Sequence, residues 1–478
     1  MRKNTIIVLL LMLVIGTSCS EDWLDTKPST STDTEGAIST LFDAQVALNG
    51  VYSNLQDEEY YGADMFAWGD LRADDIRSTS RSKRNVNAFR YSYTTDANPS
   101  GLWSQPLKAL KLTNNILLQI DNLKLQDGET EDKKASIKGQ ALALRALIHF
   151  DLTRLYGYPY AKDNGESLGA PIIKSKVDFT YKAKRSTVKE CYEAIIEDLK
   201  MVVDNNMISS AVNNGFINLH AAQALLSRVY LYKGDDANAL KYAEMVIDSE
   251  MYSFVGRKNY ATSWSKEFST ESIFSIVNTT TDNADREAIG YLWDPEGYAA
   301  MGLDVEYMQL VFANEKDIRN SIIDSIDLDK AEDSEEIVGY LKKFPGIGDA
   351  GTRVNNVPLI RLPEVYLNAA EAALTVDKAK AVKYLNTLIE NRYDVKDSLD
   401  VTTITKDIVL MERRKELVGE GQRFYDILRN GGTIDRTSDF LWGAPESVNW
   451  DHYQVVLPIP RAELNTNKEI NQNPEYGE

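Results

Sequence analysis

Two stretches of this sequence repeat one helical pattern, and a chain carrying such a duplication is constrained to stack its helices in series. In the first, Leu219 to Lys233 and Ala237 to Ser249 are joined by Gly234, Asp235 and Asp236; in the second, Leu362 to Leu374 and Lys378 to Asn391 are joined by a short polar turn. Ser227 and Ala239 lie twelve apart, as do Ala369 and Ala381, and Ala239, Ala243 and Val246 are mirrored by Ala381, Leu385 and Leu388. Small residues at these places let two antiparallel helices approach closely, which is what tetratricopeptide-type repeats require.

Helical periodicity continues elsewhere. From Lys134 to Gly157, the residues Ile137, Ala141, Leu144, Ile148, Leu152 and Leu155 recur at spacings of three and four, and Gly157 and Pro159 supply the stop. The stretches 102–157 and 187–205 read as more degenerate units. The expected fold is mostly α, a tetratricopeptide-like α-α superhelix drawn mainly from residues 35–56, 102–250 and 361–430. Residues 57–101 and 251–360 instead mix short strand-like runs, Glu271 to Asn278 the clearest, with Gly, Asn, Asp, Thr and aromatics. They are too long to be connections, so they predict a second, irregular lobe of loops and short strands packed on the helices. The acidic run Asp324 to Glu336 lacks the regular ligand spacing of a calcium loop and reads as solvated.

The first residues carry an export signal. Arg2 and Lys3 precede the apolar run Thr5–Ile15, far short of the about 20 residues needed to span a bilayer, so residues 1–18 read as a signal peptide. Gly16, Thr17 and Ser18 then lead to Cys19 in a pattern resembling a bacterial lipobox, with Cys19 as the lipidated residue and 19–34 as a Ser/Thr/Asp-rich tether. Each buried methylene of an acyl chain adds about 0.8 kcal/mol of membrane affinity, and two or more chains anchor stably. Ser20, Glu21 and Asp22 resemble the signal that sends lipoproteins of gut-type Bacteroidetes to the outer surface. The expected location is therefore the outer membrane, lipid-anchored and facing outward.

The net charge is −19, and loss of Arg2 and Lys3 makes it more negative still. Such a chain repels phosphate backbones, which argues against nucleic acid as a partner. Cys191 is the one cysteine besides Cys19 and sits in a helical pattern, where it reads as a small buried hydrophobe. Disulfides are not expected, and stability must come from the core.

Catalytic chemistry has no sequence signature here. His149, His220 and His452 are far apart without metal-ligand spacing, and there is no H-E-x-x-H, no G-x-S-x-G and no phosphate-binding glycine loop. With 72 acidic residues, carboxylate pairs suited to glycoside hydrolysis must occur somewhere, yet nothing singles one out. The chain is expected to act without catalysis, cofactor or metal ion.

Five segments resemble the SusD/RagB family. Trp103 and Leu107 lead to Asn114-Asn115. Ala143, Arg145, Ala146, His149, Phe150, Leu152, Tyr156, Gly157 and Pro159 follow. Arg361, Leu362, Glu364, Tyr366, Leu367 and Ala370-Glu371-Ala372 come next, then Glu412-Arg413-Arg414, Glu416, Leu417, Glu420, Gly421, Arg423, Asp426 and Arg429. The chain closes with Leu457-Pro458-Ile459-Pro460, Glu463 and Asn471 to Pro474. Arg145, Arg361, Arg413 and Arg423 lie near acidic residues and are expected to form buried pairs that fix how the repeats stack. The resemblance implies a role as a cell-surface binder that caps a TonB-dependent barrel transporter of the SusC kind and passes it an oligosaccharide, or a peptide as RagB-like members do. It also implies that the helical half packs on the barrel and that the irregular lobe holds the ligand.

Sugar capture needs aromatic faces for the C–H side of a pyranose and polar groups for its hydroxyls. Two clusters fit: Tyr61, Trp68, Asp70 and Arg72 in one, and Tyr291, Trp293 and Tyr298 in the other. All seven are expected to bind ligand. Trp442, Trp450 and Tyr453 make a third, weaker group. A surface glycosidase and a pure scaffold are the alternatives outside the family.

Overall fold

A computed structural model describes residues 38–177, 180–212, 215–327, 337–394, 398–436 and 441–477. The predicted signal peptide, Cys19, the tether and most of the acidic run 324–336 lie outside the described residues.

Eight helices follow in series, each packed on the next: Leu41–Leu55, Gly101–Gln119, Glu131–Tyr156, Val188–Asp204, Leu219–Lys233, Asp236–Ile247, Leu362–Val376 and Lys378–Glu390. Local sequence sets their limits. Thr187 caps the fourth helix and Glu190 reaches back to complete a capping box. Gly234 ends the fifth at φ +81°, a left-handed position where a Cβ is disfavoured, and Asp235 caps the sixth. The small residues sit where the helices touch. The Ser227 hydroxyl donates to the Ala239 carbonyl at 2.9 Å, and Ala369 and Ala381 are fully buried. The mostly α, repeat-based architecture is thus present. Among the described residues no helix is long and apolar enough to cross a membrane.

Short strands join the two irregular stretches. Ile76–Ser78, Met301–Leu303, Ile337–Leu341 and Ile323–Asp327 form an antiparallel sheet in that spatial order. Ser272–Ile276, within the strand expected at 271–278, pairs antiparallel with Val357–Arg361, and the latter leads directly into the helix Leu362–Val376.

A buried ionic network ties these parts together. Glu412, Glu416 and Glu420 recur every fourth residue along and just beyond the helix Lys406–Leu417. Arg392 donates to Glu416 at 2.8 and 3.0 Å and to Glu271 at 2.8 Å. Arg361 donates to Glu420, Glu416 and Glu271 at 2.5 to 3.2 Å. Arg319 joins Asp317 to Glu412, and Lys343 binds Glu420 at 2.6 Å. Glu416 and Arg392 are wholly buried. Burial alone would raise the Glu416 carboxyl, but Arg392 and Arg361 outweigh it and hold it far below the usual range. The other expected arginines are paired too: Arg145 with Asp198, Arg413 with Asp426 and Arg423 with Asp74. His149 is packed and fully bonded. Its Nδ1 donates to the Arg145 carbonyl, its Nε2 accepts the Ile173 N–H, and burial lowers it to about 4.

Removing one partner from such a network strands the others as uncompensated charges. Glu416→Gln is expected to lower unfolding free energy by about 3–5 kcal/mol in urea denaturation at pH 7. Glu412, Glu416, Glu420 and Glu371 all sit below their ordinary value of 4.5, so the unfolded chain takes up protons that the folded chain does not. Stability of the unaltered protein should therefore fall as pH drops below about 4.5, and fall less steeply in the variant.

Candidate functional site

The segment 57–75 is not the open loop that its sequence suggested. Glu58–Gly62 is a single π-turn and Asp64–Leu71 an α-helix, both wedged between the repeats and the C-terminal segment. The hydroxyls of Tyr60 and Tyr61 both donate to Asp151 Oδ2, at 2.7 and 2.6 Å. Asp70 accepts the Gly421 N–H, and a Cβ at Gly69 would collide with the Gly421 carbonyl. Arg72 is fully buried, donates to the Trp68 and Val455 carbonyls and lies 4.0 Å over the Phe424 ring. Trp68 packs on Tyr93. The expectation that Tyr61, Trp68, Asp70 and Arg72 face a ligand is corrected accordingly: each is at most 4% exposed. Aromatic and charged side chains here are packed and bonded within a close contact between distant parts of the chain.

Trp293 is corrected in the same way. It ends the short helix Ile289–Trp293, is 2% exposed and belongs to the main apolar core. Truncating it to Ala should cost about 3–5 kcal/mol, read as a lowered midpoint in thermal or urea denaturation.

Tyr291 and Tyr298 behave differently. Both are half-buried, their rings meet edge to face at 5.0 Å, and the Tyr298 N–H donates to the Tyr291 carbonyl. Tyr291 lines a cavity of about 620 Å³ together with Thr280, Asn283, Asp285, Asp294, Glu296 and the loop 350–354. Three segments build this cavity: the turn 279–287, the helix Ile289–Trp293 with its following turn, and the loop 345–354. The Thr352 hydroxyl donates to Asp294 at 2.6 Å, and Asp294 also accepts the Glu296 N–H, which pins the turn. Arg353 pairs with Asp285 at 3.0 Å and lies 5.5 Å over the Tyr291 ring. Asn355 anchors the loop from beneath, accepting from the Gly346 N–H and donating to the Thr352 carbonyl. At Gly290 any side chain would strike the Thr352 carbonyl, so only glycine lets helix and loop meet this closely.

A second cavity, about 300 Å³, is linked to the first through Tyr298, whose ring meets Tyr291 and whose hydroxyl binds Arg84 of the second wall. Glu58, Glu59, Asp64, Arg84 and Glu287 line it. Arg84 pairs with Glu287, donates to the Tyr298 hydroxyl at 2.8 Å and stacks on that ring at 3.9 Å. Asp64 accepts from Asn85 at 3.0 Å. Burial pushes its carboxyl up to about 7, opposed by Asn85 and reinforced by Glu59, Glu58 and Glu287. A carboxyl raised in the folded state stabilises most below its ordinary pKa and loses that contribution as pH climbs through 7. Asp64→Asn should therefore be nearly neutral at pH 4 and stabilising by roughly 1–3 kcal/mol at pH 8, compared by denaturant unfolding.

Thus the structure brings together Tyr291 and Tyr298 with polar groups that the sequence did not single out: Asn283, Asp285, Glu296, Thr352, Arg353 and Arg84. The arrangement offers an aromatic edge and face, amide and hydroxyl groups, and carboxylates around a void wide enough for sugar rings. Among the described residues no cluster of His, Cys, Asp and Glu is arranged to hold a metal ion.

Residues 213–476 match the SusD family, and residues 22–231 match a family described as starch-binding associating with outer membrane. SusD-like protein P2 of Formosa agariphila is 26% identical, over 98% of both chains. A crystal structure of a SusD superfamily protein from Bacteroides vulgatus superposes with a TM-score of 0.86 at 36% identity, covering 92% of this chain and 100% of that one. Surface glycan-binding protein A of Bacteroides thetaiotaomicron, solved with laminarihexaose, shares the fold at 21% identity and a TM-score of 0.73, over 90% of this chain and 98% of that one. With more than half its length matched, this chain belongs to the SusD family.

Proposed function

We propose that this protein captures oligosaccharides at the cell surface and delivers them to a SusC-like TonB-dependent barrel transporter. The observation that carries this reading is the cavity at Tyr291. It sits in the irregular lobe, it is lined by hydroxyl, amide and carboxylate groups, and it places a half-buried aromatic ring at its wall. A pyranose needs such a pairing of ring face and hydrogen-bonding rim. The laminarihexaose complex of a protein with the same fold supports a glycan as the ligand class.

In this reading Tyr291 and Tyr298 contact the ligand, and the helical half is the surface offered to the barrel. Cys19 carries the lipid that holds the protein on the outer leaflet of the outer membrane. The role is one of binding and hand-over, without a chemical step.

The test is a screen of the protein against oligosaccharide and mixed-peptide panels by affinity gel and calorimetry. Retention by a glycan class is the expected result, and retention by peptides alone would replace the ligand class. Tyr291→Ala should then weaken glycan binding about tenfold or more while leaving the thermal midpoint nearly unchanged, because this ring is only partly packed. Unaltered affinity in that variant would move the site elsewhere.

A further inference from the structure

The two cavities differ from an ordinary polar cleft in the sign of their charge. Asp285, Asp294 and Glu296 line the larger one, and Glu58, Glu59, Asp64 and Glu287 line the smaller. Among the described residues only two cations, Arg353 and Arg84, share those walls. Each already has a carboxylate beside it, so its charge is offset within the wall. Arg353 is bonded to Asp285 and Arg84 to Glu287, and each guanidinium also lies over a tyrosine ring. Glu58, Glu59 and Glu296 are exposed and have no cationic partner among the described residues. Arg81 and Arg286 line neither cavity; Arg81 donates to the Pro295 carbonyl.

Resting on the glycan reading above, we infer that this site selects by charge: it takes uncharged glycans and rejects those bearing carboxylate or sulfate groups. An anionic sugar would have to sit where carboxylates outnumber cations on both walls, three to one in the larger cavity and four to one in the smaller. A neutral sugar meets the same carboxylates as hydrogen-bond acceptors for its hydroxyls, at no such cost. The acidity of the whole chain, −19 at pH 7, acts in the same direction at longer range.

The experiment compares matched ligands. Whichever neutral polysaccharide the protein retains in affinity electrophoresis is tested beside its carboxymethylated and sulfated derivatives, at low and at raised salt. The derivatives are expected to bind at least about tenfold more weakly at low salt, with the gap narrowing as salt screens the exposed carboxylates. The triple variant Glu58→Gln, Glu59→Gln, Glu296→Gln removes surface charges that carry no ion pair, and it should narrow the same gap at low salt. Derivatives that bind as tightly as the parent, or a variant with an unchanged gap, would overturn the charge selection and leave glycan binding standing. Absence of binding to every glycan of either charge would overturn the glycan reading, and the selection with it.

Discussion

The structure depends on a set of charges kept out of water. Glu416 has Arg392, Arg361 and Arg319 around it, and through them it reaches Glu271 before the strand Ser272–Ile276, Asp317 before the turn 318–322, and the end of the helix Lys378–Glu390. None of these segments is a neighbour of another in the chain. A hydrophobic contact at this place would hold them together without fixing their relative angle. Bidentate guanidinium–carboxylate geometry fixes both distance and direction, so the last repeat and the irregular lobe can meet in only one way.

That constraint explains where the cavity lies. The strand Val357–Arg361 ends on the network at Arg361 and begins just after Asn355, which holds the loop 345–354 by its main chain. Lys343, just before that loop, is bound to Glu420. Both ends of the loop are therefore clamped by groups inside the protein, and its middle is left to form a wall of the cavity with Tyr291 opposite. The site's shape is thus set by interactions buried well beneath it.

Much of the frame could be read from the sequence, because helical periods, caps and small-residue contacts are local signals. Gly234 and Asp235 mark a turn on their own, and Ser227 with Ala239 marks a close helix pair without reference to anything else. Arginines near carboxylates on helices were likewise legible as pairs, although their partners were not. The site was less legible. Trp68 and Tyr61 read like surface aromatics because they sit among Asp, Glu and Gly, yet groups that cover them, Tyr93 and Asp151, come from other parts of the chain. Trp293 and Tyr291 are two residues apart on one short helix, which points one inward and leaves the other at the wall. Nothing in their composition or spacing distinguishes them. The Arg353–Asp285 and Arg84–Glu287 pairs join residues 68 and 203 apart, a pairing that only the fold reveals.

The anchoring of the loop by Asn355 has a further consequence. Asn355 grips main-chain atoms, the Gly346 N–H and the Thr352 carbonyl, and so does not depend on which side chains the loop displays. Arg353 can be exchanged while the path of the backbone stays the same. The wall of the cavity can therefore change with little risk to folding, since the hold on the loop and the side chains it displays reside in different atoms.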